Sequence, residues 1–210
     1  MILHDLPGAP NPTKVRLYIA EKKALGVQMD LDIRTVNVYK KANRTPEYLA
    51  LNPFGTMPVL ELSDGVAIFE SLPIIDYLEE CYPAPSLWGN DRVTRGVSRT
   101  LERVADVRLL NPTATYVHAV NSPIGITPDP AVAEHARSGF VRAFEYFDHL
   151  LADGRPFLAG DHVTVADCTL QAALQFMRFR ELEDLSSYPR LERWSGAYRE
   201  RAPAREVLKF

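Results

Sequence analysis

The spacing of apolar residues changes near residues 82–86, and this change limits the fold to two units of different class. Residues 1 to about 80 carry short strand-like runs between helix-like runs, which indicates a small α/β unit with mixed strand directions. Residues 82–86 (YPAPS) have the composition of a linker. Beyond them apolar residues recur at helical spacing, so the second unit is predicted to be all helical.

Turn and cap signals order the elements of the first unit. A breaker-rich loop precedes a helix predicted over residues 13–25, for which Asn11 is a good N-cap. A strand is predicted around Ile33. The pair Asp-Gly at 64–65 lies between two apolar runs and predicts a β-hairpin, and Ser71 can cap the helix that follows it.

Helix signals also divide the second unit. One long helix is predicted from the spacing of four apolar residues, Val93, Val97, Leu101 and Val104. Asp129 starts another helix, which Gly154 ends. Thr164 and Asp167 form a capping-box-like start with Asp in place of the usual Glu or Gln, and Pro189 opens a last helix.

Charge and cysteine content exclude several classes of function. Lys plus Arg number 24 and Asp plus Glu 27, a net charge of -3, which argues against a generic nucleic-acid-binding protein. The two cysteines, Cys81 and Cys168, have no zinc-site spacing, so we expect no metal and a reduced, intracellular protein. Without a signal peptide or a run of roughly 18 apolar residues, no membrane association is expected and a cytoplasmic location is predicted.

Met57-Pro58 is the first candidate for a binding site. One interpretation is an ordinary loop proline at the start of a strand. The other is a cis peptide bond, which would turn the Met57 N–H and C=O away from the sheet, where a peptide-like ligand can pair with them as an added strand.

Glu70-Ser71 is the second candidate, at the end of a predicted strand and the start of a predicted helix. One interpretation is a helix cap beside a solvated charge. The other is a site for an amino-acid headgroup: the Ser71 N–H and hydroxyl suit a carboxylate, and Glu70 suits an ammonium group.

Three segments, taken in order, resemble the soluble glutathione transferases. They are residues 52–60 (NPFGTMPVL), residues 70–78 (ESLPIIDYL), and residues 157–160 (FLAG) followed by TVAD at 164–167. The resemblance implies a thioredoxin-like α/β N-terminal domain, residues 1–81, and an all-α C-terminal domain, residues 88–210. It further implies that glutathione binds the first domain, that a hydrophobic electrophile binds between the two, and that the protein is a homodimer.

The resemblance also assigns residues to glutathione. Met57 would hold its cysteinyl backbone, and Glu70 and Ser71 its γ-glutamyl end. A basic or polar side chain before Asn52 usually meets the glycine carboxylate. Arg44, or the neighbouring lysines at 40 and 41, can do this, with Arg44 suited to bidentate contact; a solvated basic cluster is the alternative.

The residue that activates the thiol departs from the family pattern. The usual Tyr position is Asp5, and the usual Ser or Cys position is Ala9, which has no donor. Asn11 can donate to the sulfur, or be only an N-cap; His118 can orient a water or act as a base, or be only packed. Thr13 is a third option. An Asn-Pro in this loop resembles a bacterial and fungal subgroup that lacks the standard Tyr, Ser or Cys.

These observations predict a glutathione transferase that conjugates the glutathione thiolate to an electrophilic apolar substrate, a detoxification reaction. Apolar residues that can line the substrate pocket are Tyr116, Val117, Val120 and Phe179. The alternatives are a non-catalytic protein that binds glutathione or a hydrophobic ligand, and a glutathione-dependent isomerase or peroxidase.

Overall fold

The structure, a computed structural model, describes residues 1–208 and contains a mixed sheet followed by a helical unit. The four strands are β1 (Ile2–Asp5), β2 (Asp32–Thr35), β3 (Val59–Glu61) and β4 (Ala67–Phe69). The helices of the first unit are α1 (Pro10–Ala24), α2 (Pro46–Leu51) and α3 (Ser71–Cys81). Those of the second are α4 (Arg92–Ala105), α5 (Asn111–Asn121), α6 (Pro130–Leu150), α7 (Val165–Phe179), α8 (Pro189–Arg199) and α9 (Ala202–Val207).

The predicted fold class, a thioredoxin-like α/β unit followed by an all-helical unit, is confirmed. The sequence reading missed the segment between β2 and β3, where two 3-10 turns (Val38–Lys40 and Ala42–Arg44) precede α2. It also missed that α4 and α5 are joined by a π-helical segment, Asp106–Leu110. This segment lies just before Pro112, whose ring nitrogen has no hydrogen for a regular helical bond.

Sheet topology brings four chain segments to one edge. The strand order is β2-β1-β3-β4, with β1 parallel to β2 and the other pairs antiparallel. The carboxyl ends of β1, β2 and β4 and the amino end of β3 therefore share an edge. The chain leaves the sheet at this edge after residues 5, 35 and 69, and it enters the sheet there after residue 58. Both candidate doublets thus lie at the same edge.

Helix α1 lies between the two units and carries buried charges into their contact. Lys14 and Glu102 of α4 are both fully buried, and Nζ lies 2.5 Å from Oε1. Near the other end of α1, Arg201 donates two hydrogen bonds to the Glu21 carboxylate, at 3.0 and 2.6 Å. Lys22 Nζ donates to the carbonyl of Pro85 in the linker at 2.7 Å. These contacts fix the two units relative to each other.

Local signals in the second unit are confirmed, except that the helix opened by Pro189, α8, is not the last, because α9 follows it. Thr164 and Asp167 form the capping box, and Asp129 caps α6. The helix predicted from Val93 and Val97 is present as α4, but these valines are 76% and 44% exposed, whereas Leu101 is buried. The helical period predicted α4 correctly, although two of the four apolar residues that carry it are exposed.

We predict that Lys14→Met lowers the free energy of unfolding by about 3–5 kcal/mol, because it removes the buried cation of the pair and leaves Glu102 buried with only Arg103, 3.5 Å away, as a cationic partner. Lys14→Met combined with Glu102→Leu should recover most of that loss, since apolar residues replace both members of the pair. Urea unfolding of the two variants and the wild type measures this. A double variant as unstable as Lys14→Met would contradict the explanation.

Candidate functional site

Asn11 lies in the first turn of α1 and does not cap it. The N-cap is Ala9, which makes no side-chain bond, and Pro10 rather than Pro12 is the first helical residue. Instead, Asn11 Oδ1 accepts a hydrogen bond from the Ser71 hydroxyl at 2.8 Å. The predicted N-cap role of Asn11 is therefore wrong, because a tertiary partner from α3 competes for the same side-chain oxygen.

Glu70 and Ser71 stand at the start of α3 in an unusual backbone conformation. Glu70 is the N-cap of α3 with φ of 72°, which is uncommon for a residue with a side chain. Its carboxylate is exposed and forms no ion pair or hydrogen bond with any residue from 1 to 208. Ser71 is buried as the first helical residue, so it is not the cap that the sequence suggested.

The Met57-Pro58 peptide bond is cis, as one of the two interpretations of the sequence required. The preceding loop is held in place because the Thr56 carbonyl accepts from Tyr48 Oη at 2.8 Å and from Asn52 Nδ2 at 3.0 Å. Within the described chain the Met57 N–H and C=O have no hydrogen-bond partner. Met57 thus presents one donor and one acceptor of the main chain at the sheet edge.

Arg44 lies beside this loop. Its Nη1 donates to the Phe54 carbonyl at 3.2 Å, and the side chain remains exposed. Gly55 has φ of 64°, and a Cβ there would stand 2.8 Å from Arg44 Nη1. The absence of a side chain at Gly55 therefore lets Arg44 lie flat against the loop. The structure thus places Arg44 against the loop that leads to Met57.

The helical unit meets the N-terminal unit near the start of α1. A Cβ added to Gly8, in the loop before α1, would meet the Phe179 ring at 3.7 Å. Next to Phe179, Arg180 Nε donates to the Asn121 carbonyl at 2.9 Å, which joins the carboxyl ends of α7 and α5. Tyr39 Oη donates to the Pro123 carbonyl at 3.1 Å, which joins the segment after β2 to the loop after α5. Sequence reasoning missed Tyr39 because only the tertiary fold brings it to Pro123.

His118 lies on α5, one turn before the helix ends. Its Nδ1 is 3.0 Å from Ser122 Oγ, and its ring packs 5.8 Å from that of Phe176 on α7. Burial lowers the pKa of His118 below its usual value of 6.5. The imidazole is therefore mainly neutral at pH 7. Of the predicted pocket residues on this helix, Tyr116 packs edge-on against Phe140 at 5.3 Å, whereas Val117 is fully buried in the core and cannot line a pocket.

Asp5 ends β1 at the same edge, with its side chain 1% exposed. Burial raises the pKa of Asp5, although Arg16, 3.6 Å away, opposes the shift. Its Oδ1 has no hydrogen-bond partner in the described part of the chain. A carboxylate here cannot donate to a thiolate as a tyrosine would.

Two further properties bear on the class of site. No three His, Cys, Asp or Glu side chains among residues 1–208 are grouped so that they could hold a metal ion. Over the same residues, every helix is too short or too polar to cross a membrane.

Comparison with known proteins gives matches along the whole chain. Residues 9–81 match the family model described as glutathione S-transferase, N-terminal domain, and residues 130–197 the one described as glutathione S-transferase, C-terminal domain. Glutathione S-transferase 2 of Saccharomyces cerevisiae is 31% identical over 100% of this chain and 90% of its own length.

Solved structures agree. The crystal structure of Gtt2 from Saccharomyces cerevisiae has a TM-score of 0.87 and 30% identity, covering 99% of this chain and 100% of that one. A glutathione S-transferase domain-containing protein of Marinobacter aquaeolei has a TM-score of 0.86 and 31% identity, covering 97% of this chain and 100% of that one.

Proposed function

The chain belongs to the glutathione S-transferase family, and on that premise we propose that it conjugates the thiolate of glutathione to an electrophilic, largely apolar substrate. The observation that carries this proposal is the convergence at one sheet edge of Met57, with unpaired main-chain groups, and Glu70, with an unpaired carboxylate. Unpaired main-chain groups can pair with the backbone of a peptide ligand, and an unpaired carboxylate can pair with the ammonium group of its amino-acid headgroup.

The γ-glutamyl end fits the start of α3. The amino end of an eleven-residue helix favours a carboxylate, and the Ser71 N–H is its first donor. The Ser71 hydroxyl is engaged by Asn11, so the carboxylate is held by the main chain. The Glu70 carboxylate then faces the ammonium group. The positive φ of Glu70 is a strained backbone conformation, which supports a binding role for this residue.

The cysteinyl and glycyl parts fit the adjacent loop. Met57 can exchange two main-chain hydrogen bonds with the cysteinyl residue, as an added antiparallel strand does. Arg44 is the cation next to that loop and would meet the glycine carboxylate, with Lys40 and Lys41 on the same segment.

We assign Asn11 as the residue that donates hydrogen bonds to the glutathione thiolate. Pro10 and Pro12 have no N–H, and the N–H of Thr13 is bonded to the Ala9 carbonyl, so the Asn11 main-chain N–H is the free donor of this turn. Since its Oδ1 accepts from Ser71, the Asn11 Nδ2 hydrogens are also available. No acidic residue stands in the first turn to offset the positive helix end.

We assign His118 as the base that accepts the proton of the glutathione thiol. A thiol that becomes a thiolate must release a proton to a base, directly or through a water. Burial lowers the pKa of His118, so its imidazole is mainly neutral at pH 7 and can accept that proton. We assign to Phe179, which lies close to Gly8, the apolar surface for the electrophile.

We expect Glu70→Gln to weaken glutathione binding about tenfold or more, because the charged partner of the ammonium group is lost. Titration calorimetry measures this, with Glu80→Gln, an exposed acid at the far end of α3, as the matched control. Cysteinylglycine, which lacks the γ-glutamyl group, should bind the wild type and Glu70→Gln alike. No heat with glutathione, or equal affinity in Glu70→Gln, would reject the proposed function.

The two catalytic assignments have separate readouts. Asn11→Ala should raise the pKa of the bound thiol by about one unit, followed by thiolate absorbance against pH, and Asn11→Asp should raise it further through charge repulsion. His118→Ala should leave that pKa unchanged but slow turnover of an activated aryl halide at neutral pH. Wild-type glutathione binding without turnover would instead identify a non-catalytic carrier.

A homodimer through α4 is the assembly we propose. Val93 and Val97 of α4 and Val107 just beyond it are 76%, 44% and 43% exposed, which is unusual for aliphatic side chains on one helix surface. Arginines accompany them along this surface: Arg92, Arg95, Arg99, Arg103 and Arg108. The N-terminal unit presents acids, among them Asp64 and Glu80. A two-fold axis would bring each acidic unit onto the basic helix of the other copy.

Light scattering after size-exclusion chromatography should therefore give twice the chain mass for the wild type. Val97→Arg should give the monomer mass, because it adds a charge to the apolar stripe. Val132→Arg is the matched control, since Val132 is 42% exposed on α6, away from α4. A wild-type monomer, or dissociation by Val132→Arg as well, would exclude this interface.

The remaining assignments follow from the same proposal. We take residues 1–81 as the glutathione-binding domain and residues 88–210 as the helical domain, divided at the linker that carries Pro85. Both cysteines are free thiols, which supports a reducing compartment such as the cytoplasm. Removal of reactive electrophiles, a detoxification role, fits the proposed conjugation reaction.

A further inference from the structure

We propose that Tyr48 is a positioning residue for glutathione, whose phenol fixes the direction in which the Met57 N–H points and so strengthens the hydrogen bond from that N–H to the cysteinyl carbonyl. The inference rests on the proposed function, because it concerns the cysteinyl part of the same site. In this proposal Tyr48 acts through the peptide group that joins Thr56 to Met57, and not by contact with glutathione.

Two side-chain donors converge on the Thr56 carbonyl. Tyr48 Oη donates to it at 2.8 Å and Asn52 Nδ2 at 3.0 Å. The Asn52 amide is shared, because its Nδ2 also donates to Thr56 Oγ1 at 2.9 Å. The hydroxyl of Tyr48 has a single hydrogen and gives it to the carbonyl. Tyr48 therefore supplies the shorter and the undivided hydrogen bond.

The Thr56 carbonyl and the Met57 N–H belong to one planar peptide group. This group is trans, since the cis peptide bonds among residues 1–208 are those before Pro58 and Pro85. In a trans group the C=O and the N–H point in opposite directions, so a carbonyl bound on the Tyr48 side directs the N–H to the other side. A hydrogen bond to the carbonyl also polarises the group and makes its N–H a stronger donor.

Tyr48 is itself held in a fixed position. It is 6% exposed and packs in a small core cluster with Val36 and Val59. The imidazole of His4 meets the Tyr48 ring edge-on at 5.8 Å, and His4 Nε2 is in turn 2.8 Å from Glu61 Oε2. Burial raises the pKa of Tyr48 to about 12, so the phenol keeps its hydrogen at neutral pH. The donor is therefore fixed in place before a ligand binds.

Other side chains bind the two preceding carbonyls of this loop. Arg44 donates to the carbonyl at position 54, and Asn43 Nδ2 donates to the one at position 55 at 2.8 Å. Neither of these contacts involves Tyr48. Loss of the Tyr48 hydroxyl is therefore expected to alter the peptide group that carries the Met57 N–H and to leave the rest of the loop in place.

Tyr48→Phe tests this, because it removes the hydroxyl and keeps the ring in its cluster. We expect the affinity for glutathione, measured by titration calorimetry, to fall about fivefold, the usual effect of losing one hydrogen bond. γ-Glutamylcysteamine keeps the γ-glutamyl group and the thiol but has no cysteinyl carbonyl. Its affinity, measured by competition with glutathione so that weak binding is also recorded, should be equal in the variant and the wild type.

Tyr82→Phe is the matched control. Tyr82 is partly buried in the same unit, and its hydroxyl also bonds to a main-chain group, accepting from the Asp30 N–H at 3.3 Å. It follows the end of α3 that is opposite to Ser71, so this variant should leave both affinities unchanged. Urea unfolding of each variant measures its stability, and a loss of stability alone would not change the ratio of the two affinities.

The outcomes separate this inference from the function on which it rests. If the wild type binds glutathione and Tyr48→Phe binds it equally well, the role of Tyr48 is rejected and glutathione binding stands. Equal weakening of both ligands in Tyr48→Phe would show a general loosening of the site and would also reject that role. The same selective loss in Tyr82→Phe would overturn the inference too. If the wild type binds neither ligand, the proposed function fails together with it.

Discussion

The pairing of buried polar side chains on α1 is the constraint on which the rest of the structure depends. Lys14, Glu21 and Lys22 are each at most 1% exposed, in the contact between the sheet and the helical unit. A buried charge is costly unless it is paired, so each must keep a fixed partner. Those partners are Glu102 on α4, Arg201 before α9, and Glu79 with the linker carbonyls.

The ion pairs of α1 fix its orientation, which apolar contact alone does not. Hydrophobic burial is non-directional and would allow α1 to slide or rotate against α7, its main helical neighbour. The bidentate Arg201–Glu21 pair near one end and the Lys14–Glu102 pair near the other fix both the rotation and the position of the helix. Because Asn11 lies one turn before Lys14, the same pairs also set where Asn11 meets Ser71.

Features that depend on neighbours in the chain could be predicted from the sequence, and features that depend on distant partners could not. The capping box of Thr164 and the hairpin at 64–65 were correct because their residues form them locally. Asn11 and Ser71 were both interpreted as caps, whereas they bond to each other across 60 positions. The Tyr39–Pro123 contact spans 84 positions and leaves no local signal. Helical spacing likewise predicted α4, but it did not predict that Val93 and Val97 are exposed.

Under the proposed function, the donors at the start of α1 would replace the side-chain hydroxyl that usually activates the thiol. Position 5 carries a buried carboxyl and position 9 a methyl group in place of a side-chain hydroxyl. Neither an ionised carboxylate nor a methyl group has a hydrogen that it can donate to a thiolate. The two prolines that flank Asn11 remove the competing N–H groups of the first turn. The positive end of α1 is thereby concentrated on one residue, whose side chain Ser71 already orients. Under the proposed assignment of Asn11, the geometry of a helix end would take the place of a catalytic hydroxyl.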